Sequence, residues 1–172
     1  MDFKANNNNL PWSFGDYGPV MRANKANLVQ AMDSNGLDED TKCLFLSMAF
    51  IETNDMTSAQ RDASKDQMGD SANISLFNLN PHMIKAMGYQ GNPWDLNSDS
   101  QLPTLIGVMK QGLQKFGVEG YCNYVRGGSV GYQDHTSYDC IGYRNTIATI
   151  YNVVKSNLPS IMTDSRRVQV VL

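Results

Sequence analysis

Apolar residues recur at helical spacing in four stretches of this chain, and in one of them they surround the helix. From Pro19 to Asp33, Met21, Ala23, Ala26, Leu28, Val29 and Met32 share one face, and Gly36 supplies a C-terminal stop. From about Glu39 to Thr53 the apolar positions run nearly all round, which predicts a central helix with Asp38 or Asp40 as its cap. A third helix is predicted from Leu102 to Phe116, with Leu105, Ile106, Val108, Met109, Leu113 and Phe116 inward, followed by a short one over Val118–Val125. The last runs from about Asp139 to Leu158, with Ile141, Tyr143, Ile147, Ile150, Tyr151 and Val154 inward, and Pro159 ends it. Between these, Asn80-Pro81 opens a short helix that stops at Gly88, with Asn80 as cap and Pro81 at the first position.

The remaining segments lack that period. Residues 1–18 read as an irregular arm pinned by Trp12 and Phe14. Residues 54–71 are polar and aperiodic, with room for a short hairpin; a loop this long and rich in specific charge is more often functional than not. Ala72–Leu79 alternates and predicts a short extended piece. YQGNPWDLNSDS and GGSVGYQDHTSYD read as loops, and the tail RRVQVVL is β-prone. The fold expected is α+β: helix-rich, one catalytic domain over residues 1–172, with an N-terminal arm (1–18), a C-terminal tail (160–172) and a small β-hairpin region.

Composition narrows the partners. A formal net charge of −3 with no basic stripe argues against nucleic acid. No apolar run approaches the roughly 18–20 residues needed to cross a bilayer, so no membrane partner is expected. The N-terminus lacks an apolar h-region, leaving a cytosolic protein or a mature secreted one that begins at an added Met1. Cys43 reads as a buried hydrophobe, whereas Cys122 and Cys140 are either a disulfide or free thiols. No Cys/His cluster has metal spacing, His82 and His135 stand alone, and neither metal nor cofactor is expected.

The candidate chemistry lies between Cys43 and Asn80. An apolar helix delivers one acid, Glu52, at its end, and a loop follows with Asp55, Asp62, Asp66 and Asp70. Burial beside apolar residues raises a carboxyl pKa, which suits a proton donor, while a wetter loop carboxylate stays ionised and can activate water. That pairing fits hydrolysis of a glycosidic bond. The alternative is a solvated loop of weak ion pairs, such as Arg61-Asp62 and Lys65-Asp66, beside an ordinary helix-end glutamate. Asn54, Asn73, Asn78 and Asn80 lie around these acids, and amides both donate to and accept from sugar hydroxyls. Trp12, Tyr17, Trp94, Tyr121, Tyr124, Tyr132 and Tyr138 include the possible sugar platforms.

MAFIETNDM, the loop ending GDSAN, ISLFNLNPHMI and YVRGGSVGYQDHTSYDCIGYRNTI together resemble glycoside hydrolase family 134, the β-1,4-mannanases, over roughly residues 20–158. The resemblance implies a lysozyme-like fold and hydrolysis of mannan with inversion, with Glu52 as general acid and a loop aspartate as general base. The base falls on Asp62, with Asp66 as rival, because the loop alignment is gapped there. It places Lys65 with the site and Asn73, Asn78, Asn80 and Arg126 along the glycan cleft. SLFNLN departs from the family's FKQNW pattern, which removes an aromatic from a contact region and bears on subsites and on the preferred polymer. The expected partner is a β-1,4-mannan or manno-oligosaccharide, and the expected protein is secreted and monomeric. Other readings are action on chitosan, chitin or peptidoglycan, a non-catalytic glycan-binding protein, and a helical interaction domain.

Overall fold

The computed structural model describes residues 12–15, 19–52, 73–158 and 167–170 of the 172, with side chains placed in 25–52 and 73–158. In chain order they form β1 (Trp12–Gly15), α1 (Pro19–Ser34), α2 (Glu39–Glu52), α3 (Pro81–Ala86), α4 (Leu102–Gln133), α5 (Cys140–Ser156) and β2 (Arg167–Val170). Single 3-10 turns at Pro93–Leu96 and Asp99–Gln101 lead into α4, and another at Ser137–Asp139 leads into α5.

α2 sits in the middle, as its all-round apolar surface requires. Every residue from Cys43 to Phe50 is buried, including Ser47, whose hydroxyl donates to the Cys43 carbonyl at 2.6 Å. Of the two possible caps the chain uses Asp38, whose Oδ1 accepts from the Thr41 amide at 2.7 Å. Hydrogen bonds from Thr41, its side chain first and then this amide, hold the Asp38 carboxyl below its usual range. α2 packs along α5, and α4 packs against α1, α3 and α5. α1 presents Leu28, Ala31 and Met32 to the core; Ala26, expected inward, is exposed. Gly36, in the left-handed region at φ 59°, stops α1, and the Leu37 amide closes back on the Met32 carbonyl. On α5, Tyr143, Ile147, Ile150, Tyr151 and Val154 face inward, but Ile141 is 43% exposed.

The expected α+β fold with a β-hairpin region does not hold: the chain is mostly α. Ala72–Leu79 was expected to be extended, but its described residues form a tight turn. Ile74 and Leu79 exchange both backbone bonds, at 2.8 and 2.9 Å, as an isolated bridge. Ser75 and Asn78 turn the chain with φ 66° and 49°. The adjacent residues Leu76 and Phe77 are both buried, which a strand with one solvated face would not give and a turn permits. The only ladder among the described residues pairs the chain's two ends: β1 runs antiparallel to β2, with Trp12 opposite Val170 and Gly15 opposite Arg167. This ribbon falls where the irregular arm and the β-prone tail were expected. The second expected loop is also partly helical, because α4 continues to Gln133.

α4 is broken at Gly117 and Gly128, whose positive φ angles (68° and 60°) interrupt an otherwise helical backbone. The first break falls at the boundary expected between Phe116 and Val118. Among the described residues no helix is long and apolar enough to cross a membrane. Cys43, Cys122 and Cys140 are buried free thiols, so the disulfide alternative for Cys122 and Cys140 does not hold.

At its far end α5 is tied to the start of α2. Asp40 Oδ1 accepts from Lys155 Nζ at 2.8 Å and from Tyr151 Oη at 2.9 Å. Lys155 first, then Tyr151, holds the Asp40 carboxyl down at about 2, against an ordinary 3.8. A depressed carboxyl pKa stabilises the fold above the unfolded value, and that stability is lost as pH falls through the folded value. Asp40→Asn is therefore expected to lower Tm modestly at neutral pH, less so in high salt. The gap from wild type should close as pH drops from 3.8 toward about 2, in melts run across that range.

Candidate active site

Glu52 is the last residue of α2, so the central helix ends on an acid where the buried run gives out. Two neighbours hold its carboxyl. Tyr143 of α5 donates its phenolic hydrogen to Oε1 at 2.7 Å. Asn78, from the Ile74–Leu79 turn, donates its amide to the Glu52 backbone carbonyl at 2.8 Å and, more weakly, to Oε2 at 3.3 Å. The left-handed backbone at Asn78 aims the amide back at the helix end, and asparagine tolerates that conformation better than most residues.

Burial is the largest influence on the Glu52 carboxyl and raises its pKa. The Tyr143 and Asn78 hydrogen bonds and the Arg126 charge oppose the shift without cancelling it. A carboxyl so placed stays protonated to higher pH than an exposed one, as a proton donor requires. Burial likewise pushes the Tyr143 phenol well above its usual range, aided by the Glu52 charge, so Tyr143 stays neutral as it donates to Glu52.

Asn78 also lines a groove of about 810 Å³, within the range of ligand sites. Asn73, Asn78, Asn80 and His82 supply one wall, and Arg126 to Val130 with Tyr138 supply the other. Four of the expected site residues, Asn73, Asn78, Asn80 and Arg126, are thus brought to one groove. Asn80 has a second job: its Oδ1 accepts from the His82 amide at 2.8 Å, so it caps α3 as expected. Asn54, Asp62, Lys65 and Asp66 lie outside the described residues.

The break at Gly128 shapes the second wall. Its φ of 60° and ψ of −149° suit glycine alone, and it turns the chain where Arg126 and Ser129 border the groove. Tyr138 lies beside them on this wall, 64% exposed and itself left-handed at φ 53°, followed by Asp139 at φ 55°. Non-glycine residues in that conformation persist only where the surroundings hold them. Arg126 does so, donating from Nε to the Tyr138 carbonyl at 3.1 Å. Its guanidinium also lies 5.9 Å from the centre of the Tyr143 ring. One arginine therefore touches both the exposed tyrosine of the groove and the buried tyrosine behind the acid.

The possible sugar platforms are sorted by this geometry. Tyr138 and Tyr124 line the groove, and Tyr124 is stacked on Phe116 with ring centres 4.8 Å apart. Tyr121 is fully buried, in contact with Phe45. Trp94 and Tyr132 are exposed but do not line the groove, and the side chains of Trp12 and Tyr17 lie outside the described ones. The role of Tyr143 was not visible in the sequence, where its spacing marked only an inward position. No group of three or more His, Cys, Asp or Glu residues converges as a metal site among the described residues.

No curated protein matches this chain. A family model does, that of glycosyl hydrolase family 134, over residues 30–171. The match takes in α2 with its terminal acid, the Asn78 turn and both walls of the groove. With most of its length covered, the chain belongs to glycosyl hydrolase family 134: it is a glycoside hydrolase and its substrate is a glycan.

Proposed function

We propose that this hydrolase is a secreted, monomeric, single-domain endo-β-1,4-mannanase that cuts internal bonds of mannan or galactomannan with inversion. The observation that carries the reading is Glu52: an acid raised by burial and held by Asn78, an amide that itself lines the groove. Glu52 protonates the oxygen leaving the anomeric carbon, and the glycosidic C–O bond breaks. Asp62, with Asp66 as rival, takes a proton from the water whose oxygen bonds to that carbon from the opposite face. Asn73, Asn78, Asn80 and Arg126 hold sugar hydroxyls, with Asn54 and Lys65 beside the acids, and Tyr138 offers an exposed ring for a sugar face. The mechanism uses no metal or cofactor.

The test is reducing-sugar release from linear mannan, galactomannan, chitosan, chitin and peptidoglycan, with the anomeric form of the first product followed by NMR. Release from the mannans, with α-anomers appearing first, is the expected result. Release only from chitosan, chitin or peptidoglycan would move the substrate assignment, β-anomers first would overturn inversion, and glycan binding without turnover would favour a binding protein.

A further inference from the structure

We propose that Tyr143 is a positioning residue that decides which oxygen of Glu52 carries the proton to the substrate. The inference rests on Glu52 being the general acid. A carboxyl group has two oxygens of nearly equal basicity, and a proton on the inner one is useless to a ligand in the groove. Here the two oxygens are made unequal. Oε1 accepts from Tyr143 at 2.7 Å, and Tyr143 is only 8% exposed, so this oxygen is turned into the protein. Oε2 lies on the side of Asn78, which lines the groove, and its contact there is a long 3.3 Å. A neutral phenol can donate or accept, but among the described residues Glu52 Oε1 is the one partner of the Tyr143 hydroxyl, which is shut off from water. If it accepted from Oε1 its own hydrogen would be left unpaired, so it donates and the carboxyl proton is left to Oε2. When Oε2 releases its proton to the leaving oxygen, the charge that forms on Glu52 is met by a hydrogen bond already in place.

The surroundings keep Tyr143 in that role. Among the described residues, the titratable or charged groups facing this pair are Arg126 from α4, over the Tyr143 ring, and Tyr121 and Cys122 behind it. Burial raises both Tyr121 and Cys122, the thiol to about 12, so neither competes as an anion. The Tyr143–Glu52 bond joins α5 to α2, which pack along each other.

The sign of the expected effect separates positioning from simple support. Tyr143 stabilises the ionised carboxylate, so its loss moves the Glu52 pKa further up and frees the proton to sit on either oxygen. The chain holds three glutamates, Glu39, Glu52 and Glu119, so titration of carboxyl-labelled glutamate by carbon-13 NMR resolves Glu52 without an activity assay. In Tyr143→Phe, Glu52 is expected to titrate at higher pH than in wild type. On the glycan that wild type cleaves, kcat should fall by up to about 10²-fold, a loss of the size that misplaced reacting groups cause. KM should stay within about twofold, and the alkaline limb of kcat/KM should move up. Site-specific 3-fluorotyrosine at position 143 keeps the shape and donates more strongly, so titration and limb should move down; it also serves if the phenylalanine variant fails to fold. Unmoved titration with unchanged kcat, or a rise in KM alone, would overturn the proposal. Glu52→Gln run alongside separates the two readings: if it stays active, Glu52 is not the acid and both fall.

Discussion

Glu52→Gln is expected to lower kcat on the cleaved glycan by roughly 10²–10⁴-fold, the usual contribution of a general acid. Glutamine keeps the shape and still offers an oxygen to Tyr143, so the hydrogen bond at the helix end survives. What it lacks is the proton. Stability should move the other way. A carboxyl raised by burial binds its proton more tightly folded than unfolded, so the folded state loses ground as pH rises through its folded pKa. The neutral amide escapes that loss. The variant should therefore melt at or above wild type at pH 8, with the difference fading below the ordinary glutamate value of 4.5. Reducing-sugar assays paired with thermal melts at two pH values check both halves. A dead enzyme that also melts early would point to a misfolded variant rather than a missing proton.

The second large effect lies in the core. Phe45 is fully buried on α2, with the ring of Phe77 edge-on at 6.4 Å and that of Tyr121 at 6.2 Å. Phe45→Ala should destabilise by about 3–5 kcal/mol through lost burial and the cavity left behind. In a chain of this size that lowers Tm by roughly 6–20 °C. Activity should suffer beyond the loss of folded protein. Phe77 immediately precedes Asn78, so slackening its ring loosens the turn that holds the helix end and one wall of the groove. Phe45→Leu, which refills much of the space, should recover most of both losses. The check is a urea titration for each variant, with kcat measured at a temperature where both remain folded.

The parts of this molecule that sequence made legible are those whose signal is local. The all-round apolar run to Phe50 marks the central helix, and the acid that ends it needs only its neighbours to be noticed. Asn80-Pro81 announces a capped helix because cap and first turn are adjacent. The misreadings came where tertiary packing overrides a short pattern. The alternation in SANISLFNLN looks extended until Leu76 and Phe77 are both found buried, which takes a turn held from outside by the Asn97 side chain bonding Ser75. Gly127 and Gly128 read as the start of a loop, yet the break is confined to Gly128 and helix resumes to Gln133. The hydroxyl of Tyr143 could not be anticipated at all, since its partner lies 91 residues away and its periodicity fits an ordinary core tyrosine.

The three unbridged cysteines give the protein built-in reporters of its own opening. Each is buried, and burial pushes the thiols up, Cys43 to about 11 and Cys122 to about 12, so the thiolate needed for alkylation is scarce at neutral pH. Cys43 lies on α2, Cys122 on α4 and Cys140 at the start of α5. Each labelling rate therefore samples exposure of a different helix, and comparing the rates distinguishes fraying of one element from dissolution of the whole. Because no sulfur–sulfur bond ties these helices, their cohesion is indifferent to reducing agents.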